Sequence, residues 1–206
     1  IYVEREVLKE HGGWQDQVAA AYGGFNRIDF SNNEFKVHPI IIHPERKREL
    51  DENLLLFYTG VQRFSSDIQA DTFAKPVDKT KQLLDMLALV DEAEKVLTDK
   101  NASLNEFGKL LDTTWKLKRG TGSKVSNGSI DELYDIAIKA GALGGKLLGA
   151  GGGGFLLFYC EKEKQPSLIK ALESLMIVPF HFESEGAQVL YYAPAEYSPR
   201  KEILLK

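Results

Sequence analysis

Cysteine is nearly missing from this chain. Its 206 residues hold one, Cys160, so no disulfide framework can form within it. A lone thiol fits a reducing compartment, and a cytoplasmic location is the expectation. Basic residues are not in excess either: 26 Lys and Arg stand against 30 Asp and Glu, a formal net charge of −4. Without a broad basic field, no nucleic-acid partner is expected. Long apolar runs are also lacking. The most apolar stretch, Leu147 to Cys160, is too short to cross a bilayer as a helix, which takes about 20 residues, so no membrane partner is expected. The four histidines, His11, His38, His43 and His181, have no helical metal-ligand spacing, and no zinc site is predicted. What is present, 43% hydrophobic and 27% charged residues, suits a globular chain able to bury a core.

Periodicity and punctuation divide the chain as follows. Ile1 to Glu10 reads as the tail of an amphipathic helix, broken by Gly12-Gly13. A second helix is predicted from Trp14 to Tyr22, stopping at Gly23-Gly24. Phe25 to Phe30 and Phe35 to Ile42 predict two strands around a Ser31-Asn32-Asn33 turn. The polar run Pro44 to Asn53 predicts a linker. After it come a short buried strand, Leu54 to Tyr58, and helices over 75–98, Ser103 to Lys118 and Ile130 to Ala140. Ser103 and Glu106 stand at capping-box spacing. A Gly/Ser/Thr-rich loop is expected over Arg119 to Ser129, and strands at Gly145 to Leu148 and Phe155 to Cys160. A helix over Pro166 to Leu175 and strands at Ile177 to Phe182 and Ala187 to Tyr192 follow. Strands interleaved with helices predict an α+β layer with helices on one sheet face.

Three places have residues suited to chemistry. The first is the glycine run: five of the six positions from Gly149 to Gly154 are glycine. Such a loop can turn its N–H groups toward an anion, or simply join two strands tightly, and the residues leave both readings open. Gly149, Gly151 and Gly154 satisfy the dinucleotide-binding spacing, but a strand rather than a helix follows. A P-loop fails because Leu147, not Ser or Thr, follows Lys146. The second is Asp16, in the first turn of a helix after Gly12-Gly13. On residue physics alone this is favourable placement against the helix dipole, with a general base as the competing role. The third is Glu4, flanked by Arg5 and Glu6. It reads either as part of a solvated face or as one carboxylate toward Mg²⁺.

Taken together, KLLGAGGGGFLLF (Lys146 to Phe158) resembles the C-terminal glycine-rich motif of the GHMP kinases. GGWQDQVAAAYGG (Gly12 to Gly24) resembles the segment that carries their catalytic aspartate. Within the family, EREVLKEHGGWQDQVAAAYGGFNRIDF, LLLFYTGVQR and SNGSIDELYDIAIKAGALGGKLLGAGGGG are similar to bacterial heptose 7-phosphate kinases. The resemblance implies an α+β fold: the last elements of an ATP-binding N-terminal domain over residues 1–45, then a ferredoxin-like C-terminal domain over 46–206. It implies ATP and Mg²⁺ as cofactors, a sugar phosphate as partner, and transfer to its anomeric hydroxyl, with a fucose- or galactose-type sugar kinase as the alternative. Asp16 would be catalytic and Glu4 would hold magnesium. Gly12, Gly13, Gln15 and Arg63 would meet the sugar, with domain packing as the competing role for Arg63. Gly149, Ala150, Gly151, Gly152 and Gly153 would support the phosphate loop. Lys118, Arg119 and Lys124 are expected on a solvated loop face, with contact to an anionic substrate as the competing role. The family's N-terminal motif and central phosphate loop have no counterpart in these residues, and Ile1 falls within a helical pattern. A C-terminal kinase portion, inactive by itself and partnered by the missing N-terminal segment, is therefore the expectation. A non-catalytic binding module of the same fold is the competing one.

Overall fold

The computed structural model describes residues 1–9, 13–31, 34–60, 79–122, 125–149 and 151–192. A π-helical turn at Val3–Val7 opens the chain, with no buried residue. Helix α1 (Gln15–Tyr22) ends at Gly23, whose φ of 61° stops the helix. Strands β1 (Asn26–Ser31) and β2 (Glu34–Pro39) form an antiparallel hairpin in which Phe30 faces Phe35. Arg27 on β1 then reaches across the molecule to Asp91 and Glu94, at 2.6 and 2.9 Å.

The expected linker is a helix instead, α2 (Pro44–Asn53). His43 is extended and Pro44 starts the first turn, where the missing N–H of proline is harmless. Its single well-placed apolar side chain, Leu50, is only 1% exposed, and Arg46 donates to the carbonyls of Val96 and Leu97. Polarity hid the helix because one buried apolar side chain in three turns leaves almost no apolar stripe.

Strand β3 (Leu54–Tyr58) follows directly. Helices α3 (Thr80–Thr98), α4 (Asn105–Arg119) and α5 (Gly128–Lys139) then lead into β4 (Gly144–Leu147) and β5 (Phe155–Tyr159). Helix α6 (Gln165–Ala171) and β6 (Met176–Val178) complete the described elements. The main sheet is antiparallel, in the order β4-β5-β3-β6. Alternation along each strand sends side chains to both faces. Leu55, Phe57, Leu156 and Phe158 pack with Ile130, Tyr134 and Ala137 of α5 and with Leu168 of α6. Leu54 and Tyr159 pack with Leu50, Leu97 and Leu104. Helices thus cover both faces, correcting the one-sided layer, because β3 and β5 are apolar on consecutive positions and need cover on each side.

Two further expectations change. Residues 187–192 form no strand: Val189 and Leu190 are 80% and 94% exposed, and Ala187 instead donates to the Ala21 carbonyl at the end of α1. The one free edge of β3 is already taken by β6. The capping box does not close either. Ser103 Oγ accepts from the Asn105 N–H, while the Glu106 carboxylate pairs with Lys109.

One packing detail positions the site. Helix α4 lies hard against β4, where a Cβ at Gly144 would sit 2.0 Å from the Gly108 carbonyl oxygen. Only glycine permits that approach.

Candidate functional site

The glycine loop joins β4 to β5 and is gripped from three sides. Thr59, just past β3, donates from its backbone N–H and its hydroxyl to the Gly154 carbonyl, at 2.9 Å each, and accepts from the Gly154 N–H at 3.1 Å. From the segment ahead of α5, the Val125 carbonyl accepts from the Gly152 N–H at 3.1 Å, and Asn127 donates to the Gly152 carbonyl. Asn127 also caps α5 by accepting from the Ile130 N–H. From α4, Lys118 Nζ donates to the Gly149 carbonyl at 2.7 Å. Gly151 makes the tightest contact: its φ is 125° and a Cβ there would lie 2.6 Å from the Val125 carbonyl oxygen. Among the described residues, the N–H groups of Gly149, Gly151 and Gly153 make no hydrogen bond.

The cations around this loop are not a solvated face. Arg119 is held by Asp131 at 2.9 Å and lies over the rings of Trp115 and Tyr134. Lys118 is half-buried, and burial, with the charge of Lys146 nearby, lowers its ammonium to about 8. Lys146, on β4, is also half-buried, and burial lowers its pKa. Lys124 lies outside the described residues. Asp112, the nearest acidic candidate on α4, is engaged by Lys116 at 2.6 Å and by the Tyr134 hydroxyl at 2.8 Å. That hydrogen bond adds to burial in raising the pKa of Tyr134.

The aspartate segment is built separately. Asp16 stands in the first turn of α1, exposed, with no hydrogen bond or ion pair among the described residues. Gly13 and Gln15 beside it are exposed too. Val18, one turn on, is buried and anchors the helix. On the preceding turn, Glu4 is half-buried and accepts a hydrogen bond from the Gln17 amide. The amide oxygen of Gln17 is buried and has no partner. A carboxylate beside an unpaired amide oxygen is the hard-oxygen chemistry that Mg²⁺ accepts alongside phosphate oxygens. Among the described residues no group of three His, Cys, Asp or Glu could hold a metal, so Glu4 would be a one-carboxylate contributor.

Glu4 and Gln17 are thus brought together, with Asp16 exposed one position earlier on α1, and Gly149, Gly151, Gly152 and Gly153 lie together in the loop. No hydrogen bond or ion pair among the described residues links the two groups. Gly12, Arg63 and Ala150 lie outside the described residues. The sequence already offers Lys118 as a contact for an anion; its pairing with Lys146 is what sequence reasoning missed. Lys146 was visible beside the glycine run, but its burial depends on α4 closing over β4, which the local pattern does not encode. No helix is long and apolar enough to cross a membrane, among the described residues.

Residues 92–177 match the family described as GHMP kinases C terminal. A D-glycero-alpha-D-manno-heptose 7-phosphate kinase of Campylobacter jejuni is 36% identical over 190 residues, which cover 90% of this chain and 56% of that protein. A crystal structure of a sugar kinase from Campylobacter jejuni superposes with a TM-score of 0.65 at 32% identity, covering 89% of this chain and 53% of that one. A D-glycero-D-manno-heptose 1-phosphate kinase from Bacteroides thetaiotaomicron shares the fold, with a TM-score of 0.61 at 24% identity over 90% of this chain and 51% of that one. The chain therefore spans about half the length of these relatives.

Proposed function

With a GHMP kinase C-terminal domain at residues 92–177 as the premise, we propose that the protein is an ATP-dependent sugar kinase whose acceptor is D-glycero-D-manno-heptose 7-phosphate, phosphorylated at the anomeric hydroxyl. The observation that carries the acceptor is the 36% identity to the Campylobacter jejuni heptose 7-phosphate kinase across 90% of this chain. In this reading, residues 1–45 close the ATP-binding domain and 46–206 form the C-terminal domain.

The chemistry asks little covalent work of the protein. The anomeric oxygen attacks the γ-phosphorus of ATP, the bond from phosphorus to the bridging oxygen of ADP breaks, and the hydroxyl proton is taken by a base. Asp16 suits that role because its carboxylate is exposed and unengaged among the described residues, ready to accept the hydroxyl proton. Gly12, Gly13, Gln15 and Arg63 orient the sugar, and Gly149 to Gly153 brace the phosphate-binding loop. Glu4, with the Gln17 amide oxygen beside it, would hold Mg²⁺. The ion would neutralise phosphate charge.

The test is an ADP-release assay on a panel of heptose 7-phosphate, fucose and galactose. The chain is supplied with the ATP-loop half of a relative, joined or mixed. Heptose 7-phosphate is expected to turn over best. Asp16→Asn should lower kcat by roughly 10²- to 10⁴-fold, the range for losing a general base, with KM little changed. An inert heptose 7-phosphate beside a reactive neutral sugar overturns the acceptor assignment. A folded complex that turns over none of the sugars makes the chain a binding module instead.

A further inference from the structure

The charge around the glycine loop does not balance. Lys116, Arg119 and Lys109 each have a carboxylate partner, at 2.6, 2.9 and 2.7 Å. Lys118 and Lys146 have none among the described residues. Lys118 uses one of its three donors on the Gly149 carbonyl, and the Lys146 ammonium makes no hydrogen bond or ion pair among the described residues. Both are half-buried, and they are close enough to repel. Two like charges drawn out of water without a counter-ion are unfavourable unless an anion joins them. The carbonyl end of α4 offsets part of this, because Lys118 lies in the last turn. Lys146 lies outside that helix and has no such compensation.

The register shows how the pair is assembled. On β4, Gly144 and Lys146 project to the same side of the sheet, and α4 covers that side at Gly144. Further along α4, Lys118 comes near enough to Lys146 for their charges to interact. The loop that Lys118 touches has N–H groups at Gly149, Gly151 and Gly153 without acceptors among the described residues, and α5 begins beside it at Asn127. Ammonium groups, unpaired N–H groups and a helix start all favour the same kind of guest.

We propose that Lys118, Lys146 and the glycine-loop N–H groups form a subsite for a phosphate monoester dianion, namely the phosphate that a phosphosugar acceptor already carries. Two ammonium groups match a dianion, whereas a carboxylate would leave one of them uncompensated. A magnesium nucleotide fits less well. Asp112 and Asp131, the nearby carboxylates that would hold its metal, are already engaged by Lys116, Tyr134, Arg119 and Ser126. Leu147 also stands where a P-loop needs a hydroxyl on the metal. The identity of the guest as an acceptor rests on the sugar-kinase reading above; the anion site itself rests on the lysines.

Mannose 6-phosphate, mannose, inorganic phosphate and ATP without metal are titrated into the 206-residue chain by calorimetry and thermal shift. The same series follows for Lys118→Met, Lys146→Met and the double variant. The expected result is binding of mannose 6-phosphate but not mannose, weakened roughly 10- to 100-fold in each single variant, as for loss of a charged hydrogen bond. The unliganded variants should melt no lower than the parent, since each sheds a desolvated charge. Lysine-independent binding of mannose 6-phosphate, or no binding, overturns the subsite. Lysine-dependent binding of ATP alone makes the guest the nucleotide and overturns the acceptor assignment. Phosphosugar binding that needs the lysines, in a chain inactive even with the ATP-loop half, supports the subsite while the kinase reading falls. Turnover of a phosphosugar with unchanged KM in both variants leaves the kinase reading standing and overturns the subsite.

Discussion

At the scale of single residues, the glycine loop separates two uses of glycine that look alike in the sequence. Gly149 has a φ of 78°, yet a side chain there would meet nothing within 4 Å. Gly151 has a φ of 125° and would drive a Cβ into the backbone of Val125 at 2.6 Å. Gly149→Ala should therefore cost about 1 kcal/mol, the penalty of a left-handed backbone for an L-residue. Gly151→Ala should cost about 2–4 kcal/mol, because conformational strain and a clash that only backbone movement relieves add together. Urea denaturation of the two variants checks this, and equal midpoints would mean that the loop is not pressed on Val125. The contrast bears on function as well. Gly151 has a structural reason to be glycine, whereas Gly149, exposed and unclashed, is where a side chain would intrude on a ligand rather than on the fold.

At the scale of elements, legibility followed how much of the information is local. β3 and β5 stood out because five-residue apolar runs such as LLLFY and FLLFY have no other economical form. α1, the hairpin, α4 and α5 were likewise marked by their glycine stops and turn residues. α2 was misread because PERKRELDEN has one apolar side chain, and its helical state shows only when Leu50 meets Leu97 and Leu104 across the core. Leu50→Ala should then destabilise the chain by about 2–5 kcal/mol, as for other buried leucines, whereas Glu45→Ala on the exposed side should stay within about 0.5 kcal/mol. A Leu50→Ala effect no larger than that of Glu45→Ala, measured by thermal unfolding, would show that α2 is a tether after all. Residues 187–192 failed in the opposite direction: their alternation was real, but a strand also needs a partner edge, and β6 already occupies it. The same gap hid Lys118 and Lys146. Their chemistry was readable, but their burial was not, because it arises from Gly108 and Gly144 letting a helix close on an edge strand.

At the scale of the molecule, the two candidate sites sit on separate elements, and no hydrogen bond or ion pair among the described residues joins them. Phosphoryl transfer needs a base, an acceptor and a cradled, metal-bound triphosphate held together in line. These residues contain a candidate base at Asp16, a candidate acceptor subsite at Lys118 and Lys146, and a single glycine-rich run, which is followed by a strand. The chain also spans only 56% of the heptose 7-phosphate kinase it matches. The 206-residue chain alone is therefore expected to release no ADP above the enzyme-free background when given heptose 7-phosphate, ATP and Mg²⁺. Addition of an ATP-loop half from a relative should restore release in proportion to the complex formed, because the chain already contributes the candidate base and the proposed acceptor subsite. Turnover by the chain alone would mean that its one glycine loop can cradle the triphosphate without help. The subsite assigned to the acceptor would then have to be shared with the nucleotide.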